Sequence, residues 1–253
     1  MLRFGMGLIL LTAMVGQASA EDFRVDNAVF NGDEKQPSTE STTIFHEGVV
    51  YDCMKSPAET VVFDKVAGRF VLLNPARKKR TELNTLQITS FLMQLRPKAA
   101  GSRDPLVRFL AEPKFQETAD EEAGVVTLSS PWMTYRLTLV KEPNPNIVEQ
   151  YHDFCDWCVR LNAMLVAGSR PPFGRLVANA AMAKRQAVAS TVMLTIPAGR
   201  DSKQPPTVIR SEHRLVRSLE PADLERVVKI REWMTSLSPI DFNQYRKLDR
   251  SAK

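Results

Sequence analysis

Residues 133–140, Met-Thr-Tyr-Arg-Leu-Thr-Leu-Val, place Met133, Tyr135, Leu137 and Leu139 on one side of an extended chain and Thr134, Arg136 and Thr138 on the other. Period-two alternation over eight residues fits only a strand with one buried face, because a helix would scatter the same side chains around its circumference. The preceding residues 124–128 supply its hairpin partner. A second hairpin is predicted over residues 60–73, where Val-Val-Phe-Asp and Phe-Val-Leu-Leu-Asn-Pro flank the turn residues 65–68. A further strand passes through Arg80 and Thr81. Residues 43–53 read as one more strand, with Phe45, Val49, Tyr51 and Cys53 on one side, and His46, Gly48 and Asp52 on the other. Strands return at residues 191–196 and 207–215.

Helical spacing interrupts this pattern at four places. Residues 84–96 carry Leu86, Ile88, Phe91, Leu92 and Leu95 at helical intervals, with Pro97 as a stop signal. Residues 147–166 carry the stripe Tyr151, Phe154, Cys155, Cys158, Leu161 and Leu165. A helix over 174–186 is rich in alanine, and a last one starts at Pro221 and displays Leu224, Val227, Val228, Met234 and Leu237. Hairpins separated by helices predict an α+β fold, a curved antiparallel sheet forming an incomplete barrel packed on amphipathic helices. The stretch 141–145 could divide two domains. A single α+β domain over residues 21–253 is expected, since neither half has enough patterned strands to complete a sheet alone.

The first 20 residues have the form of a signal peptide: Arg3, an apolar run over 6–15, and the small-x-small end Ala18-Ser19-Ala20. This predicts a periplasmic or secreted protein. The apolar run is too short to span a bilayer and no other stretch is long enough, so no membrane span is expected in the mature chain. The chain of 253 residues is 43% hydrophobic and 25% charged, which excludes a disordered or collagen-like polymer, and its net charge of +5 is too mild to imply nucleic acid.

Motifs for chemistry are sparse. Cys155-Asp156-Trp157-Cys158 is a CxxC, but redox pairs of this type open a helix, and this one falls inside one, far from the N-terminal dipole that would stabilise a thiolate. Buried thiols are the bland reading. A disulfide drawn from Cys53, Cys155 and Cys158 is the second, and a thiol-disulfide enzyme using the CxxC the third. His46, His152 and His213 are scattered, no nucleophile elbow or metal-protease helix is present, and no cofactor or metal is expected. The cluster Arg77-Lys78-Lys79-Arg80 reads as a solvated hairpin tip.

The segment 59–83, ETVVFDKVAGRFVLLNPARKKRTEL, resembles the repeated hairpin of the LolA/LolB-like periplasmic lipoprotein carriers, in which a strand, an Asp-containing turn, a strand ending in Asp/Asn-Pro and a further strand follow one another. The chain as a whole is also similar to exported proteins of planctomycete type. The carrier resemblance implies an incomplete barrel wrapped around helices and enclosing an apolar cavity for acyl chains. The start after residue 20 lacks the opening helix usual in those carriers, and the second half holds an extra helical block. The expectation is an exported, noncatalytic binding protein that holds a lipid or other apolar small molecule between sheet and helices. Phe45, Val49, Tyr51, Phe63, Tyr135, Leu137 and Leu139 are its candidate lining residues, although the same seven would serve equally as ordinary core. The alternative is a structural or interaction module of the envelope with a protein partner there.

Overall fold

The antiparallel ladder propagates from hairpin to hairpin until twelve strands share one sheet. The computed structural model describes residues 21–166, 168–198 and 205–248. The expected signal peptide lies outside them. Six strands, β1 (Phe23–Asn31), β2 (Thr39–His46), β3 (Val49–Met54), β4 (Thr60–Asp64), β5 (Arg69–Asn74) and β6 (Lys79–Asn84), form a continuous meander. Helices α1 (Thr85–Ala100) and α2 (Pro105–Ala111) follow. A second meander comprises β7 (Gln116–Asp120), β8 (Val125–Ser129) and β9 (Thr134–Lys141). Helices α3 (Pro145–Leu165) and α4 (Phe173–Ala183) then lead to β10 (Ala187–Ile196) and β11 (Thr207–Val216). Strand β11 pairs with β1, so the two meanders join into one sheet that crosses the Pro-rich stretch 141–145 without a break. The chain ends with α5 (Pro221–Ser236), the short β12 (Ser238–Pro239) and α6 (Phe242–Leu248). Every pairing is antiparallel except β12 with β6, and the curved sheet is not closed, with β12 and β7 at its two edges. The fold is α+β, as the hairpin and helix order predicts.

Register explains why both faces of this sheet are covered. Phe45, Val50, Phe63, Phe70 and Leu83 are successive cross-strand partners on one face, called the inner face here. Shifting by one residue gives Ile44, Tyr51, Val62 and Val71 on the opposite, outer face. Each set is almost wholly buried. The inner set packs under α1 and α3, and includes the stacked pairs Phe23–Phe45 at 4.0 Å and Phe63–Phe70 at 4.4 Å. The outer set packs under Val227, Ile230 and Leu237 of the α5 segment. A third cluster, on the inner face of the other wing, joins Leu128, Tyr135, Leu137 and Val192 to Ala178 and Met182 of α4.

Several boundaries depart from the sequence reading, each for a local reason. Residues 43–53 are two strands, because Glu47 and Gly48 both have positive φ (51° and 75°) and form a two-residue hairpin turn. Pro97 does not stop α1, which runs on to Ala100. The proline lies in the last turn, and Met93, whose carbonyl loses its partner, is solvent-exposed. Helix α2 was not expected, although Asp104 accepts from the Leu106 and Val107 amides and Pro105 follows at the first helical position. Strand β7 is exposed along its whole length and carries no apolar signal. The basic cluster is only half solvated: Arg77 and Lys78 are exposed, whereas Lys79 pairs with β12 and Arg80 Nε donates to the Leu237 carbonyl at 3.3 Å.

Because α5 completes a core on the outer face, Ile230→Ala is expected to lower unfolding stability by about 2–5 kcal/mol in a urea titration. A loss below about 0.5 kcal/mol, the range of surface substitutions, would show that α5 is not docked there.

Candidate polar seam between two apolar cores

The two inner-face cores do not meet. Between them the alternation that delivers Phe and Leu elsewhere delivers polar residues: His213 on β11, Asn27 on β1, Ser41 and Thr43 on β2, and Asp52 on β3. These five form a chain of hydrogen bonds across four strands. Asn27 Nδ2 donates to Thr43 Oγ1 at 3.0 Å and to Ser41 Oγ at 3.2 Å, and Thr43 Oγ1 donates to Asp52 Oδ1 at 2.8 Å. With its amide nitrogen so committed, Asn27 presents its oxygen to His213 Nδ1 at 2.7 Å. Nδ1 therefore carries the proton, and His213 is the neutral tautomer. Its Nε2 is buried without a partner. Burial, followed by the charge of Arg175, pushes the imidazole down to about 4. Burial pushes the Asp52 carboxyl up, against the stabilising bonds from Thr43 and Ser41.

Helices α3 and α4 flank the seam. Helix α4 packs on β9 and β10, α3 on β10 and α1 on β6, while His213, Asn27, Ser41 and Asp52 on the strands between stay half-buried. From α4, Arg175 Nε donates to Asn179 Oδ1 at 3.0 Å. Asn179 Nδ2 in turn donates to Asp156 Oδ1 on α3 at 2.9 Å, and the other oxygen of Asp156 pairs with Arg160 at 3.0 Å. Arg175 forms an ion pair with no carboxylate among the described residues. Its charge reaches His213 at one end of the seam, and also Cys155, Tyr151 and Tyr135.

The seven sequence-predicted lining residues divide among three places. Phe45 and Phe63 belong to the inner core under α3, and Tyr135, Leu137 and Leu139 to the inner core under α4. Val49 and Tyr51 lie on the outer face with α5, where Arg231 Nε donates to the Tyr51 hydroxyl at 3.0 Å. The turn at Glu47-Gly48 is the cause. It reverses the chain between Phe45 and Tyr51 and makes Val50, not Tyr51, the partner of Phe45. Five of the seven thus share a face and two do not.

All three cysteines are free thiols. Cys53 packs into the outer core and Cys155 and Cys158 into the inner one, so the sheet stands between Cys53 and the other two. Burial pushes both the Cys53 and Cys155 thiols up to about 11, and pushes Cys158 up further, with the nearby Asp52 charge adding to it. Thiols shifted this way are poor nucleophiles at neutral pH.

The sequence reading missed Asn27 and Arg175 as site residues, and put Asp52 and His213 to no use. Only one signal was available. Asp52 alternates with Tyr51 and Cys53, and an acid on the inward side of an apolar strand is unusual. Two open grooves are found among the described residues, and the one beside the start of α5 is also lined by Asn27, Ser41 and His213 of the seam. The larger, about 650 Å³, is on the outer face beside the start of α5, where Arg24 pairs with Asp223 at 2.7 Å, Arg214 with Asp26 at 2.6 Å and Lys55 with Glu40 at 2.8 Å. Its cations Arg24, Arg214 and Lys55 are each met by a carboxylate, whereas Arg175 is met by none among the described residues. No group of His, Cys, Asp and Glu among the described residues is arranged to hold a metal. No protein-family model and no curated protein matches the chain.

Stability should follow pH through His213. Its proton is bound first by the unfolded chain, near 6.5, and by the folded chain only near 4, so stability falls across that window by up to about 3 kcal/mol. Asp52 works in the opposite sense, since the folded chain binds its proton first. His213→Gln should therefore flatten the loss of stability between pH 6.5 and 4 in denaturant titrations, and an unchanged slope would show the imidazole to be solvated. A thiol titration without reductant should find three thiols after unfolding and none reacting quickly in the native protein at pH 8. Rapid native modification of Cys155 would contradict its burial.

Proposed function

We propose that the protein is an exported, noncatalytic carrier or binding protein that holds an amphiphilic small molecule, a lipid or other acyl-chain compound, between the inner face of the sheet and helices α3 and α4. The observation that carries this reading is the half-buried seam from His213 to Asp52, flanked on both sides by apolar cores on one sheet face. A sheet built only to be stable would continue its apolar rows across the centre, since five polar side chains there add little net stability even when bonded to one another. An amphiphile matches such a surface: its chain lies along the apolar wings and its polar end over the seam.

The side chains at the seam favour binding over bond-breaking. A histidine shifted to about 4 is a weak base, and thiols raised to about 11 and beyond are weak nucleophiles. The unclosed sheet with helices on its inner face is also what the resemblance to the lipoprotein carriers implies, and the export signal would place the protein in the periplasm or outside the cell. No helix among the described residues is long and apolar enough to cross a membrane.

Native mass spectrometry of protein purified from its expressing cells, followed by solvent extraction, tests the proposal. The expected result is a fraction of molecules carrying extra mass that extraction recovers as acyl-chain compounds, with exchange for added fatty acid. Protein that is always empty and takes up no acyl compound would overturn it.

A further inference from the structure

Of the other half-buried arginines among the described residues, Arg24, Arg69, Arg80, Arg160, Arg185 and Arg210 each pair with a carboxylate, and Arg175 does not. Arg24, Arg185, Arg217 and Arg231 each meet a carboxylate at 2.7–2.9 Å. Arg96 donates to the Ala111 carbonyl and stacks over Phe173, and Arg246 donates to the Leu165 carbonyl. Arg175 is half-buried, yet only its Nε is used, on Asn179. Asn179 is almost fully buried and is itself anchored by Asp156, so the guanidinium is held from behind. Its two terminal nitrogens have no partner among the described residues, and they are not sealed from solvent. Asp156, which anchors Asn179, is itself engaged by Arg160. Tyr135, which feels the Arg175 charge, has a hydroxyl that also makes no hydrogen bond among the described residues.

A guanidinium held from behind with its fork open to solvent is placed to exchange water for an anion. The planar fork of a guanidinium fits the two oxygens of a carboxylate or phosphate better than any neutral group. Resting on the reading of the seam as an amphiphile site, we infer that the ligand ends in an oxyanion, a carboxylate or phosphate carried on an apolar chain, and that Arg175 is the residue that binds this end. Asn179 orients Arg175, and the Tyr135 hydroxyl is a second donor to the same group. The chain of the ligand then runs along the inner apolar face.

The full chain without its signal peptide, titrated at pH 8 with the fluorescent fatty acid cis-parinaric acid, with its neutral methyl ester and with hexadecyl phosphate as competitor, tests this. The expected result is at least about tenfold tighter binding of the acid or the phosphate than of the ester, the loss expected when a charge-assisted pair is replaced by a neutral contact. Tighter binding by hexadecyl phosphate would assign the end group to a phospholipid, and by parinaric acid to a free fatty acid. Arg175→Gln should bring the acid down to the affinity of the ester and leave the ester unchanged, while Arg175→Lys should keep part of the preference. Equal affinity for acid and ester in the unmodified protein, or a preference that survives Arg175→Gln, would overturn the inference while leaving the amphiphile reading intact. Should Arg175→Gln fail to fold, the comparison of acid with ester in the unmodified protein and the Arg175→Lys titration decide the question. Binding of none of the three compounds would overturn the amphiphile reading itself.

Discussion

The hydrogen bond between His213 and Asn27 crosses the line where the two halves of the sheet meet. Strand β1 begins the first meander and β11 ends the second, and their register puts these two side chains opposite each other on the inner face. Had apolar residues stood here, the cores under α3 and α4 would have merged into one. The polar pair separates them, and because Asn27 passes its amide on to Ser41 and Thr43, the separation extends to Asp52 two strands away. The direction of every bond in the series is set by the carboxylate at one end, which can only accept while ionised.

The large apolar side chains supply stability independently of this seam. Phe23, Phe45, Phe63 and Phe70 are stacked or in edge contact along one row and are buried under α3, while Ile44, Val62 and Val71 bury an equivalent row under α5. The wing made of β2 to β5 is therefore clamped by helices on both faces. The wing made of β8 to β10 has its helix, α4, on the inner face. Gly174 allows α4 to approach α2, since a Cβ there would come within 2.8 Å of the Leu110 side chain. This close packing fixes the position of Arg175, the next residue, on a helix that lies over β9 and β10.

Much of this was legible in the sequence, where a single rule applied over enough residues. The alternation of residues 133–140 and the apolar runs around 60–73 correctly indicated strands, and the stripe Tyr151, Phe154, Leu161 correctly indicated the inner side of α3. The reading failed where two rules overlap. Across residues 43–53 a continuous alternation conceals a turn, and the consequence is that Phe45 and Tyr51 face opposite ways. The seam was legible only at Asp52. A lone Asn, Thr or His in a strand reads as an outward residue, and only the pairing of β1 with β11, some 186 residues apart for Asn27 and His213, shows that they point the same way and touch.

The proposed ligand site is the inner face over β11, β1, β2 and β3. Nuclear magnetic resonance of the arginine Nε–H signals during titration with a long-chain fatty acid tests that most directly. Saturable shifts of Arg175, with those of Arg24 and Arg214 in the outer groove unmoved, are the predicted result. Shifts confined to the outer groove, or none at saturating ligand, would contradict it.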